Sequence, residues 1–331
     1  MNNFADEWTF YLEVFRLHQG LTRESNFETR ALLKQSIKVA ISNDRNLPRA
    51  HGLWSFTILN AWLSDWIDQS EAKELLSETI QSLVDAELID GSFSQTFQEL
   101  NQLLGGEQQL DIIIRKIICA RAAIAVAQDA SDYENHWSLA TANLYDRNFP
   151  DAFAGYTMAQ GLANKPDLPG VGMSSLSVDL ADARFFAGDE SFAGNESIDD
   201  SAQKYIAAIQ NAIVLTETAI AQNPTDPKRF RWNWTLGWAY YELGGYIDPE
   251  KNYPRSLTIL RQLRNPHHLI RKNLIASYVA VGLIEPALQL ATEFICDNPK
   301  YKLAVENRWP YRSTAQLERW KNHLRIGGLP E

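Results

Sequence analysis

Apolar residues recur at three-and-four spacing through most of the chain, and alternating apolar–polar runs are nearly absent. That spacing places the apolar side chains along one stripe of an α-helix. One stripe runs Leu32, Leu33, Ile37, Ala40; another runs Leu75, Leu76, Ile80, Leu83. Each follows a short polar residue with a Glu three positions on, Ser25–Glu28 and Asp68–Glu71, the pattern of a capping box. Asp90-Gly91 is the one hairpin-type turn, and it sits between helical patterns. The stretch from about Ser70 to Ala130 reads as helical without a fixed register, with a kink expected near Gly105-Gly106. The pattern predicts an all-α protein.

The helical segments are punctuated. Asn164-Lys165-Pro166, Asn223-Pro224, Asn265-Pro266 and Asn298-Pro299 each end a helical pattern, at proline spacings of 58, 42 and 33 residues. A proline just past a helix cannot continue it and lets the next one start afresh. A period near ~34 residues is that of a helix-turn-helix solenoid unit. The two longer intervals carry inserted loops, marked by Pro166–Gly172, Asp189–Asp200, Thr225–Lys228 and Ile247–Tyr253.

The register fits position by position. Leu274, Tyr278, Gly282, Ala287, Ala291 and Pro299 occupy the apolar, aromatic, small, small, small and proline slots of a tetratricopeptide (TPR) unit. The unit before it opens with Leu236-Gly237-Trp238-Ala239-Tyr240 and continues Leu243-Gly244-Gly245-Tyr246. Small residues at Gly237, Ala287 and Ala291 let paired helices approach closely. A single pair cannot bury its apolar face, so pairs stack. Earlier units are read at Leu180–Pro224 and Trp137–Pro166, with a degenerate junction around Ala40–His51. The expected fold is a right-handed superhelix of five to seven TPR-like helical hairpins, one solenoid over residues 1–331. Degenerate repeats fill 1–130, clearer units 131–300, and a capping helix and tail 301–331.

Three segments, His136-Trp137-Ser138-Leu139-Ala140, Asp179-Leu180-Ala181-Asp182-Ala183 and Trp234–Tyr241, resemble the tetratricopeptide region that follows the catalytic domain in bacterial class III adenylate/guanylate cyclases. The same region follows winged-helix DNA-binding domains in some bacterial regulators. The ending is the most specific part. Trp309-Pro310-Tyr311-Arg312, Leu317-Glu318-Arg319-Trp320, Leu324-Arg325 and Gly327–Glu331 are similar to that family's close. No cyclase or winged-helix domain is expected, because repeat-like sequence begins within the first fifty residues. The resemblance implies protein–protein interaction and transfers no catalytic residue.

Charge narrows the classes. Asp plus Glu is 41 against 31 Lys plus Arg, a formal net charge of −10, which disfavours a nucleic-acid coat. Two cysteines, Cys119 and Cys296, are read as small buried hydrophobes in a reducing compartment. Neither a secretory signal nor a run of ~18 apolar residues is present, so the expectation is a cytoplasmic protein without membrane attachment. Phosphate-loop, zincin and nucleophile-elbow signatures are absent. No catalytic residue, metal or cofactor is expected. His267-His268 is read as a solvated pair at a turn, and Asp189–Asp200 as a solvated loop despite its EF-hand length.

What remains is a recognition face. In the inferred register the inner helices present His136, Asn143 and Arg147, then Asp182, Phe185 and Phe186, then Arg231, Trp234, Trp238 and Tyr241, then Lys272. Aromatic residues and Arg are what peptide hot spots favour. The aromatics are left open between core and groove, whereas Asn143, Arg147, Arg231 and Lys272 are expected in the groove, because such groups are rarely buried unpaired. Trp54, Trp62 and Trp66 share one stripe, read as a buried seam, with an exposed patch for a partner or a second copy of the chain as the alternative. The leading expectation is a non-catalytic scaffold holding a protein or peptide. The alternatives are a regulatory subunit of a separately encoded enzyme or transcription regulator, and an enzyme built on a helical scaffold.

Overall fold

The computed structural model describes residues 23–42, 47–88, 93–105, 109–163, 177–181, 183, 186, 198–226, 229–263 and 266–331. Every regular element among them is helical. The chain divides into two compact units, Met1–Ala142 and Asn143–Glu331.

The first unit holds α1 (Arg23–Ser42), α2 (Pro48–Leu63), α3 (Gln69–Asp85), α4 (Ser94–Gly105), α5 (Leu110–Gln128) and most of α6 (Tyr133–Tyr145). Its centre is α5, against which α2, α3 and α4 all pack. Ile113, Ile114, Ile117, Ile118, Ala120, Ala122, Ile124 and Ala125 are buried and cover rather more than half of that helix's circumference. So wide an apolar face leaves no narrow stripe to fix this helix's register. Ser55 Oγ ties α2 to α5 by donating to the Ile118 carbonyl at 2.8 Å. Asp68 caps α3 as the sequence predicts, accepting from the Glu71 N–H at 2.9 Å. Ser25 is not a cap, since it lies inside α1, which already runs from Arg23. α4 ends at Gly105, where the kink is expected; Gly106 and Asp90-Gly91 lie outside the described residues.

The second unit holds α7 (Phe149–Ala163), helical backbone at 177–181, α8 (Ile198–Gln222), α9 (Arg229–Gly244), α10 (Pro249–Arg261), α11 (His268–Ala280), α12 (Ile284–Asp297), a 3₁₀ turn (Leu303–Arg308) and α13 (Thr314–Ile326). From α8 to α12 each helix packs on the next; α9 also touches α11, and α13 packs on α11. The Asn-Pro breaks do end α8 and α12, at Gln222 and Asp297. Asn164–Pro166 and Asn265 fall outside the described residues. Gly237 has the expected role: a Cβ there would lie 2.6 Å from Leu260 Cγ on α10. Gly282, at φ +80°, makes the α11–α12 turn, a conformation open to glycine. Leu257, Leu260, Leu263, Ile270 and Leu274 form the core between α10 and α11, each contributing about 1.5–3 kcal/mol by burial.

Candidate functional site

Two of the residues expected on a recognition face remain at least partly exposed on α9. Arg231 ion-pairs with Asp179. Trp234 is half-buried, and its ring meets His267 edge-on at 5.1 Å and Trp238 in a stack at 5.9 Å. Its indole Nε1 donates to Asn273 Oδ1 at 2.6 Å. Because an indole N–H only donates, the Asn273 atom facing it must be the oxygen. The Asn273 amide nitrogen is therefore the group left over. It is buried, the residue being 1% exposed, and it has no hydrogen-bond partner. The buried Nδ1 of His267, whose ring packs edge-on against Trp234, has none either. Phe230, 38% exposed, completes this face and also meets His267 edge-on at 6.5 Å.

The other expected face residues of this unit lie elsewhere. Trp238, Tyr241 and Phe186 are in the core. Lys272, expected in the groove, is also buried, and the reason is a partner far along the chain: its Nζ donates to Glu306 Oε1 at 2.6 Å. Arg147 is exposed, sits at φ +63°, and donates to the Asn307 carbonyl at 3.1 Å. Asn143 is half-buried. In the first unit, His136 Nε2 lies 2.9 Å from the Ala130 carbonyl. Asp182, Phe185 and most of Asp189–Asp200 lie outside the described residues.

Two further readings are corrected. The pair His267-His268 is not solvated. His268 is buried, and burial drives both below the usual imidazole pKa, His267 to about 4, with Arg271 and Lys272 adding to the effect. Cys296 is exposed, on the outward side of α12. Cys119 is half-buried, and its thiol lies 3.7 Å from the Ala142 carbonyl. Of the tryptophan stripe, Trp54 and Trp62 are buried and Trp66 is half-buried, in line with a seam.

The same unit also holds a buried charge network built from residues far apart in the chain. Glu242 on α9, fully buried, accepts from Tyr311 at 2.6 Å and Trp238 at 3.2 Å on one oxygen. Its other oxygen takes Arg319 at 2.6 Å and Gln316 at 3.4 Å. Glu306, also fully buried, accepts from Lys272, from Tyr301 at 2.7 Å and from Trp320 at 2.8 Å. Burial comes first and the neighbouring carboxylate second in holding the Tyr301 and Tyr311 hydroxyls protonated far into the alkaline range. Each carboxylate is thus filled with donors and held in place, an arrangement that fastens the 3₁₀ turn and α13 to α9 and α11. Trp309, Tyr311, Arg319 and Trp320, which carry the most specific part of the family resemblance, all belong to this network or to the aromatic packing around Trp238. The signal that points to it is a lone Glu four residues after Trp238 in an otherwise apolar run.

No protein-family model matches the chain, and no curated protein matches it. Among the described residues no group of three or more His, Cys, Asp or Glu is placed to hold a metal ion, and no helix is long and apolar enough to cross a membrane.

Proposed function

We propose that the second unit is a non-catalytic binding module, a TPR-like stack of helical hairpins that holds an extended peptide segment of a partner protein against α9 and α11. The observation that carries this reading is the Asn273 amide: a buried donor with no acceptor, beside a half-buried Trp234 and an exposed Phe230. An unpaired buried donor costs about 1–3 kcal/mol, and a peptide carbonyl satisfies it. The aromatic pair supplies apolar contact at low entropic cost. Successive neighbour packing from α8 to α12 and the Gly237–Leu260 approach support the hairpin stack. The filled hydrogen bonding of Glu242 and Glu306 supports a structural role for both rather than acid–base work. The family-like ending is explained by packing, so it lends the regulatory-subunit reading no separate support.

The test is a random peptide library selected on the full chain, with binders then measured on Asn273→Asp and Phe230→Ala. Asn273→Asp keeps the acceptor for Trp234 and replaces the donor with an oxygen. Selected peptides should bind at least tenfold more weakly to it. Folded variants that hold every selected peptide as tightly as the wild type would falsify the assignment.

A further inference from the structure

The first unit buries a cation without pairing it. Arg121 on α5 is 1% exposed. Its Nε donates to Thr79 Oγ1 at 3.0 Å, and its Nη1 to Ser82 Oγ at 2.6 Å and His51 Nδ1 at 3.3 Å. All three acceptors are neutral. The two hydroxyls give their own hydrogens to carbonyls one turn back, Thr79 to Leu75 at 2.7 Å and Ser82 to Glu78 at 2.9 Å, so toward Arg121 they can only accept. His51 accepts on Nδ1, which places its hydrogen on Nε2. Burial, helped by Arg121, keeps it uncharged with a pKa pushed down to about 3. Glu78 attracts the guanidinium only from a distance; its own carboxylate is engaged by Lys34.

Two donors are left over at this centre. The Nη2 group of Arg121 takes part in none of the bonds above. Beneath the guanidinium, with Cζ 4.1 Å from the ring centroid, lies Trp54 of α2. Trp54 is 3% exposed, and its buried Nε1 has no hydrogen-bond partner. An unpaired buried charge and an unpaired buried N–H are both costly, and here they lie within one side chain of each other. One kind of ligand answers both: a negatively charged group rich in acceptors. We propose that the α2–α3–α5 core of the first unit binds a small oxyanion, held by Arg121 Nη2 and the Trp54 indole N–H. Thr79, Ser82 and His51 orient the guanidinium without neutralising it. A carboxylate in any of those three places would cancel the charge and repel the ligand.

Inorganic phosphate, sulfate and acetate serve as probes on the full chain, by titration calorimetry and by melting against sodium chloride at matched ionic strength. The expected result is saturable binding with a rise in Tm that chloride does not give. The acetate arm separates a carboxylate from a tetrahedral oxyanion. Arg121→Met should weaken binding at least tenfold. Trp54→Phe keeps an aromatic face under the guanidinium and removes only the N–H, so it should weaken binding about fivefold, the loss of one ordinary hydrogen bond. The proposal is overturned if the wild type binds none of the three anions saturably, or if Arg121→Met binds as tightly as the wild type. Should Arg121→Met not fold, Trp54→Phe decides, and an unchanged affinity in that variant overturns the proposal.

Discussion

The two units treat buried charge in opposite ways. In the second, Lys272 and Glu306 are buried together and neutralise each other, and Arg319 does the same for Glu242. In the first, Arg121 is surrounded by hydroxyls, an imidazole and an indole face, with no anion among its bonding partners. A closed pair is a fastening and leaves nothing for a ligand, whereas a cation held only by neutral acceptors keeps its charge for one.

Acid should separate the units most strongly. His267, His268 and His323 in the second unit and His51 in the first are held neutral, with folded pKa values below the ordinary 6.5. The unfolded chain therefore binds more protons as pH falls below about 6.5, and stability drops from there toward pH 4. Each such histidine contributes a slope of up to about 1.4 kcal/mol per pH unit. With three against one, the second unit should loosen first, as read by hydrogen exchange of its peptides at pH 7 and pH 5. Equal loosening would break the contrast.

Next in size is Lys272→Met, which strands Glu306 in the core and should cost about 3–5 kcal/mol in urea unfolding. Adding Glu306→Gln should restore much of that, since the stranded charge is then gone. Gly237→Ala forces a Cβ onto Leu260 and should cost about 1–3 kcal/mol. The smallest effect is expected for Arg121→Met. It removes a cation that has no anion to strand, so the loss should stay below about 2 kcal/mol. A loss as large as that of Lys272→Met would show that the two centres are equivalent after all.

Much of the architecture was readable from the residues. Asp68 caps α3, Asn223 and Asn298 follow the ends of α8 and α12, Gly237 lets α10 in close, and Gly282 turns the last hairpin. The cap, the helix ends and the turn are local events, set by residues within a turn or two of each other, and Gly237 reaches only to the next helix. What could not be read depends on partners far along the chain. Lys272 looks like a groove residue until Glu306, 34 positions on, is brought beside it. Glu242 meets Arg319 across 77 positions. The burial of the histidine pair is hidden for the same reason: it comes from tertiary packing, not from the turn it occupies. The candidate face was legible as far as Arg231 and Trp234, but Asn273 was not, because only the direction of the Trp234 hydrogen bond reveals which of its amide atoms is unsatisfied.

Trp238 touches three other indoles, stacked on Trp234 and on Trp320 with centroids 5.9 Å and 5.4 Å away and edge-on to Trp309 at 4.6 Å. Rings that close share excitation energy and couple their electronic transitions. The folded chain should therefore carry an exciton couplet in its near-ultraviolet circular dichroism. Peeling α13 away would remove Trp320 from the group and erase part of that couplet while the backbone signal of the remaining helices persists, so the molecule contains its own optical gauge of whether its last helix is seated.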